Sequence, residues 1–435
     1  MEPKKSIAGF SRKSKIEKIN WLKDSFAQPE SAAESFQKFW LPDQKIQTLI
    51  DGFSENTISN FVIPYGIAPN FLINGRFYAV PMVVEESSVV AAAASAAKYW
   101  MNKGGFQCTV INTFKEGQVH FTYEGPENML RSHLPELKKF LLENTGYLTS
   151  SMEKRGGGVI DMQLRSFSDE EPGLYQLLVQ FDTVDSMGAN FINSILEAYA
   201  TWLPVYFENQ AHPILPQVIM AILSNYTPEC RVRAEVQVPI AEMGRFPGGL
   251  KGPAFAEKFA KAIRIATIDP YRATTHNKGI FNGIDAVVIA TGNDFRAVEA
   301  AGHAYAARSG QYRSLSECQL ENGIFHFSLE IPLAIGTVGG LTTLHPLAQR
   351  SIELLGNPSA KELMQIIAAT GLAQNFAAVR SLVTTGIQSG HMKMHLGNIL
   401  QHLQATDSQK EAAQIHFQNH PISHRAVAEF LDSCN

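Results

Sequence analysis

A lysine surrounded by polar side chains is the feature of this sequence that most suggests chemistry. The segment "IDPYRATTHNKGIFNGIDAVVIATGND" carries Lys278. Its polar neighbours are Arg272, His276, Asn277 and Asn282. A lysine in such surroundings is predicted to be held in place by hydrogen bonds instead of moving freely in solvent.

A short apolar run follows this lysine. Ala286 to Ala290 are all apolar, and we predict a buried strand whose C-terminal end delivers Asp294 to a site. If the chain folds back, Lys278 and Asp294 meet as an ion pair close to the Arg272 guanidinium. Such a group suits an anionic substrate with a carbonyl to polarise.

Composition limits the class of protein. The chain has 435 residues and is 45% hydrophobic, which is enough apolar material for a globular protein of several domains. A net charge of −4 without a dense Lys/Arg block argues against nucleic-acid binding. Four widely spaced cysteines without a CxxC indicate neither a zinc ribbon nor a disulfide framework, and they favour the reducing cytoplasm. No signal peptide and no run of about 18 apolar residues is found, so we expect a soluble protein without a membrane span.

The N-terminal region is predicted to contain helices, a hairpin and a buried helix. Apolar residues recur at helical spacing through Trp40 and Ile50, which indicates a helical arm. Asn74-Gly75 between two strand-like runs is a strong hairpin signal. The alanine-rich helix that opens near Ser87 or Ser88 is narrow, so we expect it at the centre of the molecule or of an interface.

From about residue 109 to 226 the pattern is typical of a compact α+β unit. Strands are predicted in "CTVINTF", "VHFTYEG", "VIDMQLRSF" and "YQLLVQFDTV", and helices at 133–145 and 189–207. The helix after "DSMGAN" offers free N–H groups to a phosphate, so we predict a dinucleotide site there. Because no GxGxxG follows a strand, an ordinary Rossmann fold is not expected.

Five segments together resemble a known enzyme family. They are "VPMVVEESSVVAAAASAAK", "DSMGAN", "DPYRATTHNKGIFNGIDAVVIATGNDFRA", "GTVGG" and "TGIQSGHMKMH", in order between Ser54 and His395. They resemble the class II, bacterial-type HMG-CoA reductases. The resemblance implies a soluble homodimer, or a dimer-based oligomer, with active sites at the interface. It also implies reduction of 3-hydroxy-3-methylglutaryl-CoA to mevalonate and CoA by two equivalents of a nicotinamide cofactor.

The same resemblance implies an α+β fold with four parts. A large substrate domain is expected at 1–108 and 227–380, an inserted non-Rossmann dinucleotide-binding domain at 109–226, and a helical C-terminal flap at 381–435.

Glu86, Lys278, Asp294 and His391 match the four catalytic positions of the family. Each of the two hydride transfers places negative charge on a carbonyl oxygen. The Lys278 ammonium would stabilise that charge, and Asp294 would hold the ammonium in place. Glu86 would be a general acid, with opposing influences on its pKa from apolar neighbours and from Lys278. His391 would protonate the leaving CoA thiolate from a closing flap. His395, four residues on, could form a zinc pair with His391, but no third ligand is evident and we expect no metal.

The resemblance also implies binding residues. Arg272 would bind the substrate carboxylate, with Ser88 and Asn282 as hydrogen-bond partners. The cofactor loop would use four residues of the "DSMGAN" segment, where Ser186 replaces the commoner alanine: Asp185, Met187, Gly188 and Asn190. Gly397 replaces a basic residue that family members often carry, which puts a cationic contact to CoA in doubt.

Hydroxyl and basic residues favour NADPH over NADH. Thr149 and Ser151 occupy the stretch where an NAD enzyme of this family would carry an aspartate, and Lys154 and Arg155 follow. NADH remains the competing cofactor.

Other interpretations stay open from the sequence. Lys278 could be a surface lysine, Glu86 a helix cap, Asp185 a turn former and Arg272 a structural ion-pair partner. The catalyst could run oxidatively from mevalonate with NAD. Alternatively, the chain could be a non-catalytic CoA-ester-binding homologue.

Overall fold

The computed structural model describes residues 6–386, 396–397, 399–417, 420 and 422–434. Within them the strands are β1 Tyr65–Ile73, β2 Arg76–Val83, β3 Gln107–Val110, β4 Lys115–Thr122, β5 Gly158–Ser166, β6 Leu174–Asp182, β7 Gln217–Leu223, β8 Arg231–Pro239, β9 Ser316–Glu321 and β10 Ile324–Pro332. The helices are α1 Lys15–Lys23, α2 Pro29–Lys38, α3 Gln44–Asp51, α4 Val89–Met101, α5 Glu127–Glu153, α6 Ala189–Asn209, α7 Gly252–Ile268, α8 Pro270–Ala290, α9 Phe295–Ala306, α10 Gly340–Leu344, α11 Pro346–Leu354, α12 Ala360–Val383, α13 Asp407–His416 and α14 His424–Ser433. The chain divides into two units, Met1–Pro64 and Tyr65–Asn435.

The first unit is helical, as its sequence pattern predicts. Ser14 and Glu17 form a capping box that begins α1, which satisfies N–H groups left free at a helix start. The Lys15 ammonium lies 2.7 Å from the Asp51 carboxylate, so the first and last helices of this unit are joined by an ion pair. The prediction of a helical arm is therefore confirmed.

The second unit begins with the predicted hairpin and buried helix. β1 and β2 pair antiparallel across Asn74 and Gly75, whose φ angles are 47° and 81°. Two positive φ angles in a two-residue turn require Asn-Gly or a similar pair. The α4 residues Ala93 and Ala96 are fully buried. Both predictions for this region are confirmed.

A small antiparallel sheet carries two long helices. Its strand order is β5-β6-β4-β7, and α5 and α6 supply side chains to the same apolar core as these strands. The order β4-α5-β5-β6-α6-β7 is a split βαβ arrangement. Antiparallel pairing throughout distinguishes this sheet from the parallel sheet of a Rossmann fold.

One strand predicted for this compact unit belongs to another sheet. β3, from the "CTVINTF" run, pairs with β8 in a sheet of order β3-β8-β10-β9. The alternation of residues that predicts a strand does not determine its partner, because pairing depends on distant parts of the chain. β8 and β10 join the large apolar core that also contains α4, α7, α8 and α12.

The predicted strand at Ala286–Ala290 is wrong. These residues are the last turns of α8, a 21-residue helix from Pro270 to Ala290. A short apolar run does not distinguish a buried strand from a buried helix. The Asp269 side chain accepts a hydrogen bond from the Tyr271 N–H, and Pro270 is the first helical residue. This start signal was present in the sequence and favours a helix.

The buried face of α8 packs closely on α12. A Cβ atom at Gly283 would lie 2.9 Å from the Thr370 carbonyl oxygen, so only glycine permits this approach. His276 and Asn277 lie on this buried face, and their side chains bond to Ser316 and to the Arg313 backbone. The sequence suggested that both residues surround Lys278, but their side chains point into the core instead.

Helix α12 is long and apolar enough to cross a membrane, since its most apolar 18 residues have a mean hydropathy of 1.3. However, 78% of this stretch is buried inside the protein. It is thus the central helix of the large core. Beyond it, described residues of the last segment form α13 and α14 around a small core that includes Leu400 and Val427, in agreement with the predicted helical C-terminus.

Burial of His276 makes stability depend on pH. Burial, with a smaller contribution from the Arg272 charge, lowers the pKa of His276 from 6.5 to about 3. The folded state keeps the ring neutral while the unfolded state protonates it, so stability is complete above pH 6.5 and is lost as pH falls towards 3. Between pH 7 and 5.5 the wild type should lose about 1 kcal/mol more than His276→Gln in urea unfolding at fixed protein concentration.

The control His420→Gln replaces an exposed histidine and should keep the wild-type pH dependence. Equal losses for wild type and His276→Gln would contradict the prediction.

Candidate active site

Lys278 and Glu86 form an ion pair at the surface of the second unit. The Lys278 Nζ atom lies 2.7 Å from Glu86 Oε2. Glu86 lies in the connection between β2 and α4, and Lys278 lies on the exposed side of α8. Residues 192 apart in sequence are thus brought together because β2 and α4 both pack on α8.

This pair is open to solvent in the single chain. The Lys278 side chain is 62% exposed and that of Glu86 is 38% exposed. The sequence predicted a lysine held in place by hydrogen bonds. The lysine is held, but water is not excluded by the described residues.

Two further predicted residues lie beside the pair. The Asn282 Nδ2 atom is 3.4 Å from the same Glu86 oxygen, so Asn282 contacts the carboxylate and not the lysine. Ser88 is the residue before α4 and adopts the left-handed conformation with φ of 79°. Such a conformation is unusual for a residue with a side chain and tends to occur at functional sites.

The predicted contact between Lys278 and Asp294 is not formed within the chain. Asp294 caps the start of α9, where it accepts hydrogen bonds from the N–H groups of Arg296 and Ala297. Its carboxylate also pairs with the Arg296 guanidinium at 3.0 Å. Since α8 is one rigid helix, the twelve residues from 278 to 290 separate Lys278 from the helix end by about 18 Å. A fold-back is impossible without breaking this helix.

Arg296 is a partner that the sequence interpretation missed. Burial raises the pKa of Asp294, but the hydrogen bonds from Arg296 and from backbone N–H groups outweigh it, so the pKa lies below its ordinary value. The adjacent "NDFR" sequence could have indicated this pair.

Arg272 lies in the first turns of α8 and is half-buried. Burial lowers its pKa. In the part of the chain that the structure describes, it has no carboxylate partner. A partly desolvated guanidinium of this kind is well suited to an anionic ligand.

The predicted cofactor loop directly precedes α6, as expected. Gly188 has a φ of 86°, and a Cβ atom there would lie 2.4 Å from Thr183 Cγ2, so glycine is required. Met187 lines a cavity at the start of this helix, and Asn190 is exposed in its first turn. The Asp185 carboxylate instead accepts a hydrogen bond from Ala360 N–H at 2.7 Å, at the start of α12.

This loop and the turn that carries Asp294 both contact Gly336. A Cβ atom at Gly336 would lie 2.4 Å from the Met187 backbone nitrogen. Asn293 exchanges two hydrogen bonds with the backbone of Gly336, at 2.8 and 3.0 Å. The "GTVGG" segment therefore joins the cofactor loop to Asp294, a connection that sequence spacing alone does not reveal.

The two predicted cofactor-specificity residues have different environments. Thr149 is buried, and its hydroxyl donates to the Gly146 carbonyl within α5. Ser151 is exposed near the end of the same helix, followed by the exposed Lys154 and Arg155. Ser150 and Ser151 are therefore the hydroxyl residues of this stretch that lie at the surface, and the role of Thr149 in cofactor binding stays a prediction.

His391 lies outside the described residues, as does His395. Gly397 is exposed, and a Cβ atom there would have no neighbour within 4 Å.

Comparison with known proteins places these residues in a family context. A family model described as "Hydroxymethylglutaryl-coenzyme A reductase" matches residues 15–396, most of the chain. The 3-hydroxy-3-methylglutaryl-coenzyme A reductase of Archaeoglobus fulgidus is 37% identical over 80% of this chain and 77% of that protein. A probable 3-hydroxy-3-methylglutaryl-coenzyme A reductase of Borreliella burgdorferi is 32% identical over 91% of this chain and 88% of its own length.

Solved structures of the same family are similar to this chain. A 3-hydroxy-3-methylglutaryl-coenzyme A reductase from Streptococcus pneumoniae is 38% identical, with a TM-score of 0.73 over 98% of this chain and 99% of that chain. A structure of the class II enzyme from the same organism, bound to NADPH in open conformations, is 39% identical with a TM-score of 0.70, covering 86% of this chain and 99% of its own.

Gly336→Ala tests the contact between the cofactor loop and the Asp294 turn. The added methyl group would displace the Met187 backbone, and we expect the KM for the nicotinamide cofactor to rise by about tenfold or more. Steady-state kinetics would measure this. Gly146→Ala is the matched control, because it adds a methyl group in open space on α5. An unchanged cofactor KM in Gly336→Ala would show that this contact does not shape the site.

Proposed function

Since the chain belongs to the hydroxymethylglutaryl-coenzyme A reductase family, we propose that it reduces 3-hydroxy-3-methylglutaryl-CoA to mevalonate and CoA with NADPH. The observation that carries this proposal is the Glu86–Lys278 pair at 2.7 Å. It joins the two residue types that a carbonyl reduction requires, a cation for the developing oxyanion and a carboxyl group for proton exchange.

Lys278 acts on the carbonyl oxygen of the thioester. The bound nicotinamide supplies the hydride in each of the two reductions. As the carbonyl oxygen gains negative charge, the ammonium donates a hydrogen bond to it and stabilises it by several kcal/mol, at about the scale of an oxyanion hole. Glu86 takes the supporting role expected of Asp294, because its carboxylate accepts a hydrogen bond from the ammonium and holds it in place.

Glu86 also exchanges the proton. Its Oε2 atom contacts both Lys278 Nζ and Asn282 Nδ2, so the carboxyl group is oriented by two donors on successive turns of α8. A proton shared between this pair reaches the substrate oxygen without crossing bulk water. His391, which matches the family position by sequence, protonates the departing CoA thiolate.

Arg272 and Ser88 bind the acyl group. The half-buried guanidinium of Arg272 has no carboxylate partner among the described residues and takes the free carboxylate of the substrate in a bidentate contact. Ser88 lies two residues from Glu86, where its left-handed backbone directs the chain into α4.

The cofactor binds at the start of α6. Free N–H groups and the positive end of the helix dipole meet its phosphates there, and Met187, Gly188 and Asn190 shape the approach. Ser151 with the exposed Lys154 and Arg155 offers a hydroxyl and two cations to the 2′-phosphate, which favours NADPH over NADH.

A complete site requires two copies of the chain. Lys278 lies about 18 Å from the end of α8 that precedes Asp294, and the Glu86–Lys278 pair is open to solvent. We place Asp294 and the cofactor loop of one subunit against the Glu86–Lys278 pair of the other, in a homodimer. Exposed leucines beside the Asp294 turn, Leu341 and Leu344, fit a surface that is buried by association.

The proposal includes a cellular location and a division of the chain into domains. The protein is a soluble cytoplasmic enzyme. Residues 1–108 and 227–380 form the substrate domain, 109–226 the cofactor domain and 381–435 the flap.

Lys278 substitution tests the chemistry. The wild type should oxidise NADPH only when HMG-CoA is present, followed at 340 nm, with a higher kcat/KM than for NADH. Lys278→Met should lower kcat by at least about 100-fold, because the oxyanion loses its cation. Lys278→Arg should also be severely impaired, since the planar guanidinium does not reproduce the ammonium geometry.

Lys261→Met is the matched control, because it removes an exposed lysine from α7. Retention of wild-type turnover by Lys278→Met would refute the proposed mechanism.

Mixed dimers test the shared site. Lys278→Met and Asp294→Asn are each expected to be inactive alone. In a heterodimer of the two, one site carries both substitutions and the other carries neither. Co-unfolding and refolding equal amounts should therefore restore about a quarter of wild-type activity. Activity that stays at the level of the separate variants would show that both residues serve a site within one chain.

A further inference from the structure

Lys115 is a buried lysine that the mechanism does not use. It is the first residue of β4 and is 4% exposed. Its ammonium donates to Thr183 Oγ1 at 2.5 Å and to the Ser186 carbonyl oxygen at 3.1 Å. Lysine is seldom fully buried unless it is paired, because removing its charge from water is costly. A buried lysine at this place therefore suggests a specific role.

The pKa of Lys115 lies below its ordinary value, and it is the two hydrogen bonds that hold the amine in position. Burial lowers the pKa of Lys115, whereas Cys230, Asp182 and Asp185 act in the opposite direction. Asp182 is the last residue of β6, and Asp185 lies within the turn that Lys115 contacts. The amine thus lies inside the bend between β6 and α6.

The turn itself is strained. Val184 has a φ of 51°, a conformation that is rare for a β-branched residue. Thr183 Oγ1 donates to the Ser186 carbonyl at 2.6 Å, and Ser186 Oγ donates to the Thr183 carbonyl at 3.0 Å. Strained turns persist only when their surroundings fix them, and they tend to occur where a ligand binds.

We propose that Lys115 is a positioning residue for the nicotinamide cofactor: its ammonium fixes the 183–188 turn in the shape that receives the dinucleotide. This inference rests on the proposed function, which assigns that turn to cofactor binding. Lys115 contacts the carbonyl of Ser186, one residue before Met187, whose backbone packs on Gly336. It therefore acts through the loop and not on the reacting atoms.

The position of the amine favours an effect on cofactor binding over an effect on the acyl group. Lys115 lines a cavity with Met187 and Ala189 of the cofactor segment and Ala297 of α9. Glu86 and Lys278 do not line this cavity. Loss of the ammonium should consequently loosen the dinucleotide site and leave the Glu86–Lys278 pair intact.

Stability and affinity should change in different directions in Lys115→Met. Methionine keeps the apolar stem and removes both hydrogen bonds, while Thr183 Oγ1 still donates to the Ser186 carbonyl. Replacing a buried charge by an apolar group is often neutral or stabilising. A purely structural lysine would show the reverse, a lower Tm with unchanged cofactor affinity.

The experiment measures cofactor binding directly. Titration of NADPH fluorescence with full-length Lys115→Met should give a Kd raised by about tenfold, which corresponds to the loss of a charged hydrogen bond. The KM for HMG-CoA should stay within about twofold of wild type, since the acyl site is separate. The Tm should be no lower than that of wild type.

Two variants support the comparison. Thr183→Val removes the hydroxyl that accepts from Lys115 with little change in shape, and should weaken NADPH binding in the same direction even if Lys115→Met fails to fold. Lys138→Met is the control, since it breaks the Lys138–Asp161 pair near the same sheet without touching the turn.

The outcomes are distinguishable. An unchanged NADPH Kd in both Lys115→Met and Thr183→Val, or equal changes in the cofactor Kd and the KM for HMG-CoA, would overturn this inference alone. Failure of the wild type to bind either NADPH or NADH would overturn the proposed function and the role of Lys115 with it.

Discussion

The rigidity of α8 is the constraint on which the candidate site depends. The backbone hydrogen bonds of this 21-residue helix run from turn to turn, so its length fixes the distance between groups at its two ends. One face is packed so closely on α12 that Gly283 leaves no room for a side chain. The opposite face carries Lys278, so the position of the lysine is set by the core beneath it.

That packing determines which charges meet. Within the chain, the carboxylate available to Lys278 is Glu86, because β2 and α4 lie against α8. Asp294 is held at the far end by its own helix cap and by Arg296. An ammonium that is 62% exposed has most of its charge screened by water, and its effect on a substrate oxyanion grows only as water is removed. In the homodimer that we propose, a second subunit would remove this water and strengthen the effect of the lysine.

The sequence predicted local features well and spatial relations poorly. The Asn74-Gly75 turn, the alanine-rich α4 and the start of α6 after Gly188 each depend on a few adjacent residues, and all were found. The strand predicted at Ala286–Ala290 failed because five apolar residues suit either a buried strand or a buried helix. The pairing of β3 with β8 and the exposure of Lys278 depend on contacts between distant segments, which spacing along the chain does not encode.

The contacts between the cofactor loop and the Asp294 turn were not predicted from the sequence. The Asn293 side-chain amide bonds to the Gly336 backbone, and Gly336 packs on the Met187 backbone, so sequence spacing gives little indication that the three residues are connected. Yet this contact ties the cofactor loop to the turn before Asp294, while nothing comparable ties that loop to Lys278 among the described residues. The cofactor loop and Asp294 therefore lie near one end of α8, and the Glu86–Lys278 pair lies about 18 Å from that end. In the homodimer that we propose, a reaction that needs hydride, ammonium and acid together would depend on how the cofactor loop of one subunit approaches the Glu86–Lys278 pair of the other. Subunit association would then be part of the catalytic geometry.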